Sequence, residues 1–196
     1  MSHSPHPERE TALYTPYFCE ENVYQLLRDP FFAERRAYAL FITNAAAQVA
    51  MLGQRAGRGE PVVWDYHVIA LSFDGHRRMV WDLDSALPFP CDARRSLGSS
   101  FPAEIPARFR PRFKCVLRSE LLTHFASDRR HMRDAEGRFV APPPPWPPIQ
   151  PDTESEAQKA QRARHNLGNF LDMENEARGS VLSLPELLRW LDREAL

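Results

Sequence analysis

Apolar residues never run long enough in this chain to approach the roughly 18 that span a bilayer, so no membrane association is expected. The opening Met-Ser-His-Ser-Pro-His-Pro-Glu-Arg-Glu is polar and lacks the apolar core of a secretory signal. An excess of charge of one sign is missing too. Lys and Arg number 25 against 26 Asp and Glu, a formal net charge of −1, so no global field points to nucleic acid. Lysine is scarce beside arginine, which a bias in the coding DNA explains more simply than a binding surface. Cysteine is limited to Cys19, Cys91 and Cys115, free thiols rather than a disulfide framework, as suits a cytoplasmic protein. With His67 they would make a Cys₃His zinc set, the rival chemistry, but they are scattered and form no C-x₂₋₄-C knuckle. No metal and no cofactor is expected. No Gly-x-Ser-x-Gly elbow occurs, which leaves a serine nucleophile without support.

What is present begins with a hairpin. Residues 62–73 and 76–84 are β-rich runs joined by Asp74-Gly75, the pattern of a two-residue type I′ turn. With that pair at the tip, Phe73 faces His76, Ser72 faces Arg77, and His67 falls directly opposite Asp82. Opposed residues share a face, with Cβ atoms about 4.5–5.5 Å apart. The His67 imidazole can then donate its Nδ1–H to the Asp82 carboxylate, which fixes the tautomer and supports a positive ring. A base and its orienter are two thirds of a nucleophilic triad. Separately, His67 reads as a structural histidine and Asp82 as a surface carboxylate; their opposition is what favours catalysis.

The rest of the chain, 196 residues in all, suits one domain with a real core. Residues 1–13 are expected to be a flexible tail and residues 14–196 a single domain. Cys19 opens a helix with Glu20 and Glu21 in its first turn, an apolar stripe at Val23, Leu26 and Leu27, and a stop at Pro30. Residues 38–43 read as a buried strand or the end of a second helix, 53–59 as a loop, and 92–112 as an irregular connection. Residues 113–117 read as a further strand, 119–125 as a short helix and 125–132 as a polar loop. Residues 141–148 carry the Pro142–Pro145 run and form an extended strap. Residues 152–166 are a polar helix or a disordered insertion. Ser183-Leu184-Pro185-Glu186 is a capping-box pattern before a helix with Leu184, Leu187, Leu188 and Leu191 on one face.

Cys19 is the best nucleophile candidate. Unpaired N–H groups at a helix N-terminus favour a thiolate and can form half of an oxyanion hole. Glu20 and Glu21 oppose the thiolate if they point inward. A lone cysteine is more often a small buried hydrophobe, so the case rests on the His67–Asp82 pair needing a partner.

These segments resemble the protein N-terminal glutamine amidohydrolase family. The matching stretches are Tyr17-Phe18-Cys19-Glu20-Glu21-Asn22-Val23-Tyr24, Val63-Trp64-Asp65-Tyr66-His67-Val68, Trp81-Asp82-Leu83-Asp84 with Leu87-Pro88-Phe89-Pro90-Cys91, and Phe125-Ala126-Ser127-Asp128-Arg129 with His131-Met132. With the proline run they cover about residues 14–148 in family order, and the C-terminal helix is also similar. The resemblance implies an α+β, papain- and transglutaminase-like catalytic domain: an antiparallel sheet bearing His and Asp, a nucleophile-bearing helix, and peripheral helices. It implies a catalytic triad of Cys19, His67 and Asp82 that hydrolyses the side-chain amide of an N-terminal glutamine, with peptides or proteins bearing that residue as partners. A monomer is expected, cytoplasmic or also nuclear in a eukaryote, feeding an N-degron pathway. The free α-amine, mostly protonated at neutral pH, calls for an acidic pocket. Asp65, two residues from His67 on one strand face, Asp128 and Glu21 are the candidates, with Trp64, Tyr66 and Ser127 shaping the cleft. Segment 152–166 departs from the family pattern as an insertion, and 92–102 matches loosely. The alternatives are a related thiol protease or transglutaminase, and a non-catalytic module that binds partners through the proline strap.

Overall fold

The computed structural model describes residues 6–150 and 165–193. The strands are β1 (Arg36–Thr43), β2 (Val49–Met51), β3 (Val62–Trp64), β4 (His67–Asp74), β5 (Arg77–Trp81), β6 (Cys91–Asp92), β7 (Arg112–Leu117) and β8 (Ser180–Ser183). The helices are α1 (Cys19–Leu27), α2 (Ala93–Ser100), α3 (Arg118–His124), α4 (Leu167–Leu171) and α5 (Leu184–Arg193). Six strands form one antiparallel sheet in the order β6-β5-β4-β1-β7-β8, and β2 and β3 pair separately. No helix among the described residues is long and apolar enough to cross a membrane.

β1 and β4 sit at the centre and are buried over seven of their eight residues. Such strands show no polar alternation because both faces are covered. One face packs Ala37, Ala39, Phe41, Val68 and Ala70 under α1, α3 and α4. The other packs Leu40, Ile42, Ile69, Leu71 and Val80 under α2 and α5. The expected mixed α+β class with an antiparallel sheet and surrounding helices is found.

α1 begins and ends where its sequence indicates. It stops at Leu27, and Pro30 then opens a 3-10 turn whose Phe31 N–H is capped by Asp29 at 2.8 Å. The capping box forms at the other end of the chain: Glu186 accepts from the Ser183 backbone N–H at 2.7 Å and hydroxyl at 2.6 Å. Residues 92–112 differ from expectation, since α2 lies within them. Its serines and Gly98 are weak helix formers. The helix owes its existence to the Asp92 side chain, which accepts from Arg95 N–H at 3.0 Å, and to burial of Ala93 and Leu97.

The hairpin also differs. Asp74 pairs with Arg77, so Gly75-His76 rather than Asp74-Gly75 forms the tip, and Phe73 faces Arg78 rather than His76. Gly75 has φ 54° while His76 has no positive φ, the requirement of a two-residue turn with glycine first. The ladder ends at Ala70–Trp81, so His67 and Asp82 are not cross-strand neighbours. Nor is 62–73 one strand. The chain bends at Asp65-Tyr66, where the Thr43 hydroxyl donates to Asp65 C=O at 2.6 Å and Tyr66 N–H donates to Asp65 Oδ1 at 2.9 Å. Asp65 and His67 therefore do not share a strand face.

Within the tail region, residues 1–5 lie outside the described residues, and Arg9 donates to Leu87 C=O at 2.8 Å. Of the polar segment 152–166, all but His165 and Asn166 lies outside them.

At Gly179, just before β8, an added Cβ would come within 2.3 Å of the Cys115 carbonyl oxygen. Gly179→Ala is expected to lower stability by about 1–3 kcal/mol through overpacking. A urea midpoint equal to that of the parent chain would refute this.

Candidate active site

The segment entering α1 is fixed by its own side chains. Asn22 accepts from Thr15 N–H at 2.9 Å and donates back to Thr15 C=O at 2.8 Å, and Phe18 is fully buried. Cys19 thereby becomes the first residue of α1 with its thiol nearly buried, and the Val68 backbone N–H on β4 favours the negative form of the sulfur. Burial pushes the thiol well above its ordinary pKa, and the charge of Glu20 adds to this, with Glu20 Oε2 3.8 Å from the sulfur.

Next along β4 from Val68 is His67, 2% exposed, with Nε2 3.0 Å from Asp82 Oδ1. Asp82 is 5% exposed and lies just past the end of β5. Its Oδ2 accepts from Gln54 Nε2 at 3.0 Å, and its Oδ1 also accepts from Asp84 N–H at 2.9 Å. The nitrogen facing the carboxylate is thus Nε2, not Nδ1 as the flat cross-strand picture required. Asp82 sits beyond the ladder, so the ring reaches it with its outer nitrogen and leaves Nδ1 for another partner. Trp64 stacks on the ring at 5.8 Å and 17°. Burial alone would push the His67 imidazole down, but the Asp82 charge and hydrogen bond outweigh it and hold His67 above its ordinary pKa. Burial likewise opposes ionisation of Asp82, and His67 with Gln54 and the Asp84 N–H overcome it, holding the carboxyl low.

His67, Asp82 and Asp84 bring ligand atoms within 4.8 Å of one another, the one such group among the described residues. Asp82 is hydrogen-bonded as above, and Asp84 Oδ1 accepts from the Tyr14 hydroxyl at 2.5 Å.

A cavity of about 590 Å³ is lined by Tyr17, Asp65, Tyr66, His131 and His165, among others. Asp65 and Tyr66 therefore meet there. Trp64 instead packs on His67, and Ser127 is buried with its backbone paired to Ile149 at 3.0 Å in both directions. Asp128 is engaged by Arg130, whose Nε donates at 3.0 Å, and holds a pKa below the usual carboxylate range chiefly through that bond. Glu21 is fully buried and faces the other way. Arg129 donates to both its oxygens, Nε to Oε1 at 3.0 Å and Nη2 to Oε2 at 2.9 Å, and Trp146 Nε1 donates to Oε2 at 2.8 Å.

Sequence reasoning missed Gln54, Glu20, Arg129 and His131. Glu20 carried a signal, standing next to Cys19 in the first turn. His131 stands in a stretch that carries the family resemblance but had no geometric argument, and Gln54 carried no signal, because it reaches Asp82 from a segment distant in sequence.

The His67–Asp82 pair gives stability a defined pH window. Asp82 is depressed in the fold, so its contribution is present above about pH 4 and lost as pH falls through the lowered value. His67 is raised, so its contribution is complete below about pH 6.5 and lost as pH rises through the raised value. Asp82→Asn should therefore cost most between about pH 4 and 6.5, about 1.5–3 kcal/mol for a hydrogen bond to a charged group. Urea midpoints of both proteins at pH 3, 5.5 and 9 check this; a difference independent of pH would refute it.

Comparison with known proteins adds the family. A family model described as N-terminal glutamine amidase matches residues 14–191. A protein N-terminal glutamine amidohydrolase of Bos taurus is 34% identical over 192 residues, covering 93% of this chain and 88% of its own. That of Homo sapiens is 34% identical over 190 residues, covering 92% and 88%. That of Drosophila grimshawi is 33% identical over 193 residues, covering 93% and 90%. The matched span includes Cys19, His67 and Asp82 within most of the length of both partners, and the chain belongs to the N-terminal glutamine amidase family.

Proposed function

We propose that this chain hydrolyses the side-chain amide of an N-terminal glutamine to glutamate and ammonia, with Cys19 as nucleophile, His67 as acid and base, and Asp82 as the orienter of His67. The observation that carries this is the buried His67–Asp82 pair, with His67 next on β4 to Val68, whose backbone N–H favours the negative form of the Cys19 sulfur. The helix bearing Cys19 packed on an antiparallel sheet bearing His67 supports a papain- and transglutaminase-like architecture.

The Cys19 thiol passes its proton to His67 Nδ1 as the sulfur attacks the amide carbon. The Val68 N–H favours the negative sulfur, and the Cys19 backbone N–H, free at the helix N-terminus, holds the oxyanion. The C–N bond breaks as His67 returns the proton to the departing ammonia, leaving a γ-glutamyl thioester. His67 then takes a proton from water, the resulting hydroxide attacks the thioester, and the thiol is regenerated as glutamate leaves. Asp82 keeps Nε2 engaged, so Nδ1 stays directed to the chemistry. Asparagine, one methylene shorter, brings its amide short of the sulfur once its amine is anchored. In a eukaryotic cell the new N-terminal glutamate would enter an N-degron pathway.

Intact-mass spectrometry of a glutamine-initiated peptide is the test. A gain of about one dalton with ammonia release is expected, whereas a protease would cut the peptide and a transglutaminase would join an amine to it. Cys19→Ala should lower turnover by about 10⁴-fold or more with an unchanged thermal midpoint. Ammonia release retained in that variant would overturn the assignment.

A further inference from the structure

The two glutamates that follow Cys19 are both fully buried, yet their surroundings are opposite. Glu21 has Arg129 on both oxygens and Trp146 besides. Glu20 has no arginine or lysine partner among the described residues. Its Oε2 accepts from the Tyr66 hydroxyl at 3.0 Å and lies 3.8 Å from the Cys19 sulfur. Its Oε1 accepts no hydrogen bond and has only His131 Nε2 close by, at 3.2 Å. Buried charges are ordinarily paired and hydrogen-bonded. A carboxylate oxygen left without a hydrogen bond beside a nucleophile is suited to a cation that arrives from outside.

Glu20 itself is fully buried and does not line the neighbouring cavity, but the two side chains that cover it do. Tyr66 and His131, the two side chains on Glu20, line the 590 Å³ cavity, where His131 is 18% exposed and stacks on His165 at 5.0 Å. Asp65 lines the same cavity, but it is exposed and accepts from Tyr66 N–H, so water competes for its charge.

We propose that Glu20 is the receptor for the substrate's free α-ammonium, and so the residue that restricts this enzyme to glutamine at a chain's first position. This rests on the reading of the chain as an N-terminal glutamine amidase. The ammonium enters between Tyr66 and His131, bonds Glu20 Oε1 and replaces the His131 contact. The reach fits: in glutamine the α-nitrogen and the amide carbon are four bonds apart, about 4–5 Å. Glu20 Oε2 is 3.8 Å from the attacking sulfur, so one side chain spans both. Nothing beyond the first residue is needed to measure the distance.

The test compares two peptides, one beginning with glutamine and one with its des-amino analogue, which keeps the amide and lacks the ammonium. The parent enzyme is expected to favour the amine-bearing peptide by about 10²-fold or more in kcat/KM, the scale of one desolvated charge pair. Glu20→Gln should reduce that preference to below about tenfold while Cys19 is alkylated by iodoacetamide no more slowly. Glu20→Asp, which keeps the charge, should restore the preference at least in part. A preference unchanged in Glu20→Gln overturns the proposal. So does an equal loss on both peptides with slowed alkylation, or an absence of rescue in Glu20→Asp. If the parent enzyme releases ammonia from neither peptide, the amidase reading itself fails, an outcome distinct from a preserved preference.

Discussion

Arg129 and Glu21 form the buried ion pair on which the position of the other parts depends. Arg129 is held with φ 63° at the start of the turn that carries His131. Its guanidinium joins Glu21 on α1 to the backbone oxygens of Pro144, Trp146 and Pro147 on the proline strap. One planar fork thereby ties the helix bearing Cys19, the His131 loop and the strap together. A buried pair of this kind contributes little net stability against an apolar replacement, but loss of one partner leaves an uncompensated charge. Its value here is positional. The strap, whose carbonyls it engages, is a structural member of the domain.

The His67–Asp82 contact depends on a different constraint, the end of a ladder. The hairpin tip sits one residue later than a type I′ turn at Asp74-Gly75 would place it, so the pairing moves by two. A shift of two preserves the face of every side chain, whereas a shift of one would have inverted it. Asp82 accordingly stays on the side of the sheet that His67 faces, and Gln54 and the Asp84 N–H hold it there. The pairing was legible in the sequence because face parity is robust; the ring nitrogen was not, because it depends on where the ladder stops.

The same division runs through the molecule. α1, β7, α3 and α5 carry apolar periods, caps or prolines in their own residues that place them, whereas residues 38–43 could equally have ended a helix and became β1 only by pairing with β4 and β7. α2 has weak intrinsic preference and forms because Leu97 and Ala93 find the sheet. The break at Asp65-Tyr66 is fixed by Thr43, from another strand. In the candidate site, the His67–Asp82 contact was visible from spacing, although not as the direct cross-strand opposition expected, and Cys19 from its place at a helix start. The distinction between Glu20 and Glu21 was not, since both stand in one helical turn and it is Arg129 and Trp146 on one and Tyr66 and His131 on the other that tell them apart.

Glu20 has a bearing on the thiol apart from any role in binding. Burial raises the Cys19 pKa, and the adjacent negative charge raises it further. Both effects disfavour the thiolate, and attack by oxidants and stray electrophiles follows thiolate character. A positive group seated on Glu20 offsets that charge beside the sulfur. If Glu20 receives the substrate's α-ammonium as proposed, the feature that marks a chain's first residue would also favour the Cys19 thiolate, and internal glutamines, which have no free amine, would not.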